Sequence, residues 1–461
     1  MPREIKPDGD LRFEGFASYP NSAAFGPEGG MLEYSENMEF NEGVATPRLG
    51  SILAGTASAP VEYACVASST VGDSILLWGA NQRFNCETGL FTSVNLAAKQ
   101  KARGQGYQDA LTMETQDTDF VAGANIVERL VTAKGDKLKF SLYSGAQPYE
   151  PDSAYLVQGT YDSIQAIEPD MNAMLVFGKR SIYSVTAGIG RQANVNRMPS
   201  PQVFHQISKL SSHDGLAAKD GICRMGSQVL FLDADGIKVL KYSGGKNAYE
   251  DGSSPVTFMI QDIMDMIDPT KIGQVTATAC QGRCYFTLPL LAPYNRTVVL
   301  ALNLTNKNPL ESIYVYPQSI DCVMSARKGG KTRLWGVNYA LGRIYLLNEG
   351  TTDAGTSIVA KIRSRSYMFA SHSEKKYDDC FVSLDTKGHA EVEMHFISVN
   401  PDGKWLLDRF SADLGTAVRR ALANKKSMSG KLEIVVKSGR PCIYSIGLEA
   451  SIVGKSIFSS F

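Results

Sequence analysis

Six tight turns, each set between two short apolar strands, recur down the middle of this chain, and that feature constrains the fold most. The turns sit at Asn81, Gly135, Gly178, Gly236, Gly282 and Gly342. Around them lie Ile75 to Phe84, Arg129 to Tyr143, Met174 to Val185, Val229 to Tyr242, Thr276 to Leu288 and Arg333 to Leu347. An isolated hairpin cannot bury its apolar face, so the hairpins must stack on one another. Successive turns are 54, 43, 58, 46 and 60 residues apart. Repeats of about 40 to 50 residues are what four-stranded propeller blades produce. The reading is therefore an all-β protein, with a β-propeller of about six blades over residues 61–350. A pair of packed sandwiches would give a similar spacing.

Three regions stand outside the hairpins. Residues 1–60 are rich in Gly, Pro and Asn and read as an extended N-terminal arm that supplies a latching strand to the propeller. Residues 96–125 show no periodic pattern, and loops that long are usually functional or disordered. Residues 351–461 resume strong strands and read as a separate C-terminal β-sandwich platform domain. In it Val382 and Leu384, then Val392, Met394 and Phe396, alternate around a turn expected at Lys387-Gly388. Pro401-Asp402-Gly403 supplies a second turn, Pro presetting φ and Gly accepting a positive one. One helix is expected over Val256 to Asp268, where Ile260, Ile263, Met264 and Ile267 share a face before Pro269.

Charge limits the partners. Lys plus Arg and Asp plus Glu both number 47, giving zero formal net charge. Grip on nucleic acid through phosphates needs a basic excess, because counterion release drives it. The basic stretches Lys99, Lys101, Arg103 and Arg327, Lys328, Lys331, Arg333 read as solvated loop faces. The charged start MPREIKPDGD has no apolar core of a signal peptide, and no run of 18 apolar residues exists. No membrane insertion is expected. The cysteines at 65, 86, 223, 280, 284, 322, 380 and 442 form no CxxC pair, and small buried thiols of a protein folded in the cytoplasm are expected.

No motif supplies chemistry. Gly454-Lys455-Ser456 lacks the earlier Gly of a phosphate loop, Glu449 standing there, and lacks room for a helix. Asp233-Ala234-Asp235-Gly236 has its Gly too early for a calcium loop and reads as a hairpin turn. Cys280 and Cys284 have no nearby His to complete a metal set. His389 and His395 have no nucleophile motif beside them, and Ser211, Ser212, His213 and Asp214 form no triad pattern. Catalytic, metal and cofactor-binding residues are accordingly expected to be none. Paired carboxylates meeting at a propeller's centre remain open, since distant residues can converge there.

The arm reads NSAAFGPEGGMLEYSENMEFNEGVATPRLGS from Asn21 to Ser51. Its order Pro-x-Gly-Gly, Glu-Asn-Met-x-Phe, Gly-Val, Pro-Arg-x-Gly resembles the start of bacteriophage tail nozzle or tail-stabilisation proteins. The stretch His213 to Gly245, the helix after it and the segment Ile358 to Gly388 are similar to the propeller and β-domain of such proteins. The resemblance implies a non-enzymatic structural virion protein, folded in the bacterial host cytoplasm and placed in the tail of a short-tailed phage. It implies a homo-oligomer, a hexameric ring around the DNA exit channel, touching adaptor or portal-proximal proteins and tail fibres, with DNA only in transit. The last strand segment, Ile443 to Phe461, ends in apolar residues expected to cover ring contacts. Two other readings follow from the propeller alone: an enzyme acting on glycans at the central funnel, and a cellular interaction scaffold.

Overall fold

The computed structural model describes residues 31–69, 72–96, 122–126, 129–140, 162–169, 173–188, 204–211, 213–242, 249–251, 254–306, 308–367, 374–399 and 402–452, with short pieces at 4–5, 13, 15–16, 102–103 and 155–156. The long loop expected near 96–125 lies mostly outside them. Each of the six turns joins neighbouring strands of one antiparallel set. Blade 1 holds Tyr63–Ser69, Gly72–Trp78, Gln82–Asn85 and Phe91–Ser93. Blade 2 is built on Ala122–Ile126, Arg129–Lys134, Lys137–Phe140 and Tyr155–Leu156, and blade 3 on Ile164–Pro169, Ala173–Gly178, Ile182–Gly188 and Phe204–Ser211. Blade 4 holds Ile222–Met225, Gln228–Asp233, Gly236–Tyr242 and Tyr249–Asp251. Blade 5 holds Ala277–Cys280, Arg283–Leu290, Arg296–Leu302 and Leu310–Tyr314. Blade 6 has Cys322–Lys328, Lys331–Asn338 and Arg343–Leu347.

This is a β-propeller, because neighbouring blades share apolar cores. Blades 1 and 6 bury Ile75, Phe84 and Trp335 together. Blades 5 and 6 share Tyr314, Ile320 and Tyr345, and blades 3 and 4 share Phe177 and Phe231. Blades 2 and 3 meet through Val131, Leu138 and Val176. The blades are not equivalent, however. Five stand as separate sheets, whereas blade 5 runs on through its last strand into a 14-stranded sheet.

The arm causes that merger, and its second half is not a free extension. Residues 31–56 form four strands: β1 Met31–Glu36, β2 Met38–Asn41, β3 Val44–Pro47 and β4 Ser51–Thr56. β4 pairs antiparallel with Arg343–Leu347 and so makes the outer strand of blade 6, tying the two ends of the blade series. β1 pairs parallel with the last strand of blade 5. Five longer strands follow the propeller: β5 Ala360–Ser364, β6 Lys375–Val399, β7 Asp402–Ser427, β8 Gly430–Ser438 and β9 Cys442–Ile452.

These build a two-layer sandwich that draws strands from both ends of the chain. One layer runs β2, β3, β9, the first half of β6 and the second half of β7. The other runs β1, β5, β8, the second half of β6 and the first half of β7. The turn expected at Lys387-Gly388 is instead a corner inside the single strand β6. There Lys387 pairs with Leu414 and Ala390 with Ala412, leaving two unmatched residues on β6 against one on β7. Such a bulge bends both strands without ending them. The fold-over brings Tyr377 to Phe396 at 4.9 Å between ring centroids, and Ser398 Oγ to Ser427 Oγ at 2.7 Å. Pro401 lies outside the described residues, between the paired ends Val399 and Asp402.

The expected helix is shorter than its periodicity suggests, a 3₁₀ turn Phe258–Ile260 followed by Gln261–Met264. Its apolar face is as expected: Ile260, Ile263, Met264 and Ile267 are all buried. In the C-terminal segment, Ile443, Ile446, Leu448 and Ala450 of β9 are sandwich core, so their apolar character serves folding. Residues 453–461 lie outside the described chain.

Candidate functional site

The inner strands of blades 4 and 5 start side by side, with a parallel bridge between Asp220 and Thr276. Ala277 N donates to the Asp220 carbonyl at 2.8 Å, and Val323 N of blade 6 donates to Thr276 Oγ1 at 2.9 Å. Parallel inner strands bring their first residues to one end of the propeller axis. Residues of blades 1, 4 and 6 converge there with those of blade 5. Lys219 Nζ stands 5.1 Å from the Tyr63 ring centroid. Burial pushes the Tyr63 phenol well up, and the nearby Asp220 carboxylate pushes it further. Tyr339 is likewise raised by burial first, then by Cys322 and Asp220. Asp321 Oδ2 accepts the Tyr339 backbone N–H at 2.8 Å. Asp220 is only 8% exposed, and the Tyr63 hydroxyl is buried without a hydrogen-bond partner among the described residues. This axial cluster holds one buried carboxylate, one ammonium and two aromatic walls. It was not singled out in the sequence, because its members lie up to 276 positions apart and none belongs to a motif.

The residues weighed in the sequence go elsewhere. Asp233 and Gly236 are paired across a hairpin, and Gly236 adopts φ +139°. Asp233 binds Lys238 Nζ at 2.8 Å and accepts the Gly215 N–H at 3.1 Å. Ser211 Oγ donates directly to Asp214 at 2.7 Å, and Lys238 also binds Asp214. His213 contributes only its backbone N–H there, so Ser211, His213 and Asp214 are not arranged for nucleophile activation. His389 Nδ1 meets Asp413 at 2.9 Å on the sandwich corner, while His395 Nε2 meets Glu393 at 3.2 Å within the sheet. Cys280 and Cys284 point into different cores, and burial pushes the Cys280 thiol up to about 11. Arg327 is held by Asp73 at 3.0 Å, and Arg333 by Glu349. Gly454-Lys455-Ser456 lies outside the described residues. Among those described, no three His, Cys, Asp or Glu side chains gather as a metal set.

A second group of residues is structural, and it comes from the arm. Asn37, Met38 and Phe40 of the Glu-Asn-Met-x-Phe stretch, and Arg48 and Gly50 of Pro-Arg-x-Gly, lie where sandwich and propeller join. Asn37 turns the corner between β1 and β2 at φ +57°. Its Oδ1 accepts Arg48 Nε at 2.9 Å and Val315 N at 2.8 Å. Arg48 forks onto Asp353 at 2.6 and 2.9 Å and lies 4.0 Å from the Tyr316 ring centroid. Met38 and Phe40 are core, and a Cβ at Gly50 would collide with the Thr352 carbonyl.

No known family matches the sequence, and no curated protein is similar to it. Solved structures are. The exo-β-1,3-galactanase of Phanerochaete chrysosporium with galactose is 11% identical over 87% of this chain and 100% of its own, with a TM-score of 0.31. The PQQ-bound aldose sugar dehydrogenase of Streptomyces coelicolor is 10% identical over 64% of this chain and 98% of its own, at 0.34. A structure titled as a gluconolactonase is 9% identical over 67% and 92%, at 0.33. At these scores the similarity assigns no reaction to this chain. The expectation that the protein is no enzyme does not stand. The physical reason is the one already given: a propeller draws its axial residues from distant loops, so the absence of a local motif excludes nothing.

Proposed function

We propose that the protein is a component of a short-tailed phage virion tail, of the nozzle type, set as a ring of copies around the DNA path. The observation that carries this reading is the arm. The residues that give it its resemblance to tail proteins (Asn37, Met38, Phe40, Arg48 and Gly50) are those that lock the sandwich onto the propeller. The motif therefore has a mechanical meaning: it fixes a platform at a set angle to a propeller, as a component under load in a tail requires. Zero net charge suits a channel that DNA must leave freely. The ring contacts, six-fold count, adaptor and fibre neighbours and site of folding in the host belong to this proposal. Mass spectrometry of purified virions, with electron microscopy of the isolated protein, tests it. The expected result is several copies per virion at the tail and a closed ring; absence from virions overturns it.

A second reading is favoured by the axial cluster: a propeller enzyme acting on glycans. Tyr63 and Tyr339 bring aromatic rings, Lys219 an ammonium and Asp220 a buried carboxylate to one end of the axis, the kinds of group that sugar recognition uses. Incubation with a panel of polysaccharides and aryl glycosides checks this, with Asp220→Asn as control. Hydrolysis abolished by that substitution would support it, and no turnover of any glycan would remove it.

A further inference from the structure

The core shared by blades 5 and 6, behind the Arg48 latch, contains polar atoms that its own residues leave unpaired. Tyr285, Tyr314 and Tyr316 belong to this one core and are 1%, 0% and 1% exposed. The Tyr285 and Tyr314 ring centroids are 6.1 Å apart, and the Arg48 guanidinium stands 5.6 Å from the Tyr314 ring and 4.0 Å from that of Tyr316. Burial pushes all three phenols up first, and Glu39 is among the carboxylates that push each of them further. The Tyr314 and Tyr316 hydroxyls have no hydrogen-bond partner among the described residues. Nor has Oδ1 of Asn348, whose Nδ2 donates to the Tyr285 hydroxyl at 2.9 Å. Turning the Asn348 amide over would let Oδ1 accept the Tyr285 O–H, but would strand Nδ2 instead.

Folded proteins pair nearly all such buried atoms, with protein groups or with water. Val299, Ala301, Ile320, Val323, Leu334 and Leu347 make up most of the rest of this core and offer no polar side-chain atom. The missing partner must accept from two O–H groups and donate to an amide oxygen, which is what a water molecule does. Charge argues against an ion. Arg48 stands against a cation, and Glu311 and Glu39, which push the Tyr314 phenol up after burial does, stand against an anion. The burial of all three tyrosines leaves no opening for a larger neutral molecule.

We propose that the core between blades 5 and 6 is a binding site for internal water, one molecule accepting from Tyr314 and Tyr316 and donating to Asn348 Oδ1. The arm's latch is then backed by solvent held inside the protein. This stands on the core alone and is independent of both functions proposed above. Tyr314→Phe and Tyr316→Phe in the full chain test it, because Phe keeps the ring and removes only the hydroxyl. Where water holds the hydroxyl, its removal leaves that water short of a partner. Each substitution should then raise the unfolding equilibrium constant by about fivefold or more in denaturant titrations. A hydroxyl with no partner at all would give the reverse, since its removal relieves a buried orphan. Because both hydroxyls meet one molecule, the double variant should lose less than the product of the two single losses. A high-resolution crystal structure of the wild type should show a density peak within hydrogen-bond reach of both hydroxyls. Single variants that are unchanged or more stable overturn the proposal, as does a map with no such peak. Losses that simply multiply overturn the sharing of one molecule.

Discussion

The propeller and the sandwich are both antiparallel β structures, yet they are assembled in opposite ways. Each blade but the sixth takes its four main strands from one contiguous stretch of sequence, paired antiparallel in chain order. The sandwich takes β1 to β3 from the first fifty residues and β5 to β9 from the last hundred or so. The blades' contacts are short in sequence and the sandwich's are long, so closing the sandwich costs more chain entropy. Nearly all of its pairing must therefore be backed by buried apolar area and by a few strongly held polar joints.

The sharpest way to break that contrast is to cut the joint. Asp353→Ala would leave the Arg48 guanidinium buried and unpaired, which costs about 3–5 kcal/mol. Denaturant unfolding should show the loss, and hydrogen exchange should show sandwich and blade 6 loosening together. Loosening of the sandwich alone would mean that the two regions are less coupled than the joint implies.

Next is Met394→Ala in the sandwich core, where Met394 is fully buried. The expected loss is about 2–5 kcal/mol from transfer and cavity terms. Blade 1 exchange rates should stay near wild type, since Met394 and the blade 1 residues belong to different cores. A uniform rise across all blades would erase the distinction.

Acid should separate the regions more gently. Burial pushes the Glu433 carboxyl up, but Lys404 and Arg363 outweigh it and hold it below its ordinary 4.5. A lowered folded value means stability that is present above pH 4.5 and is lost as pH falls through the folded value. Glu311, between blade 5 and β2, has the opposite sign: burial raises it despite Arg283. Melting temperature against pH should therefore show the gap between wild type and Glu433→Gln narrowing as pH drops from neutral to below 4. A gap that widens would reverse the assignment.

The smallest effect is expected on the exposed face of β7. Leu422→Ser should change the stability of the single chain by less than about 0.5 kcal/mol, because the side chain faces solvent. Chemical unfolding at high dilution measures this.

What the sequence revealed follows the same divide. Gly236 and Gly342 stand at positive φ, so their turns could be read from residue type alone, and each marked a real hairpin. The latch and the sandwich pairings could not be read that way. Arg48 and Asp353 are 305 positions apart, and no local pattern announces their pairing. At Lys387-Gly388, turn chemistry was present but served a bulge inside a strand, because Leu414 and Ala412 on the partner strand kept the ladder running. The burial of the apolar run at Ile443 could not be read either, because its layer partners, β3 and β6, are remote in sequence. The axial cluster was hidden for the same reason, with Tyr63, Asp220 and Tyr339 on three different blades.

The latch also has a consequence in time. β4 leaves the ribosome early, yet its partner Arg343–Leu347 follows nearly 300 residues later. At ordinary elongation rates of about 5–20 residues per second, that is a wait of roughly 15–60 s. Throughout that interval β4 waits for its partner strand and blade 6 does not exist. The protein is thus most open to mispairing while it is being made, and slowing synthesis should lower its soluble yield more than a late rise in temperature does.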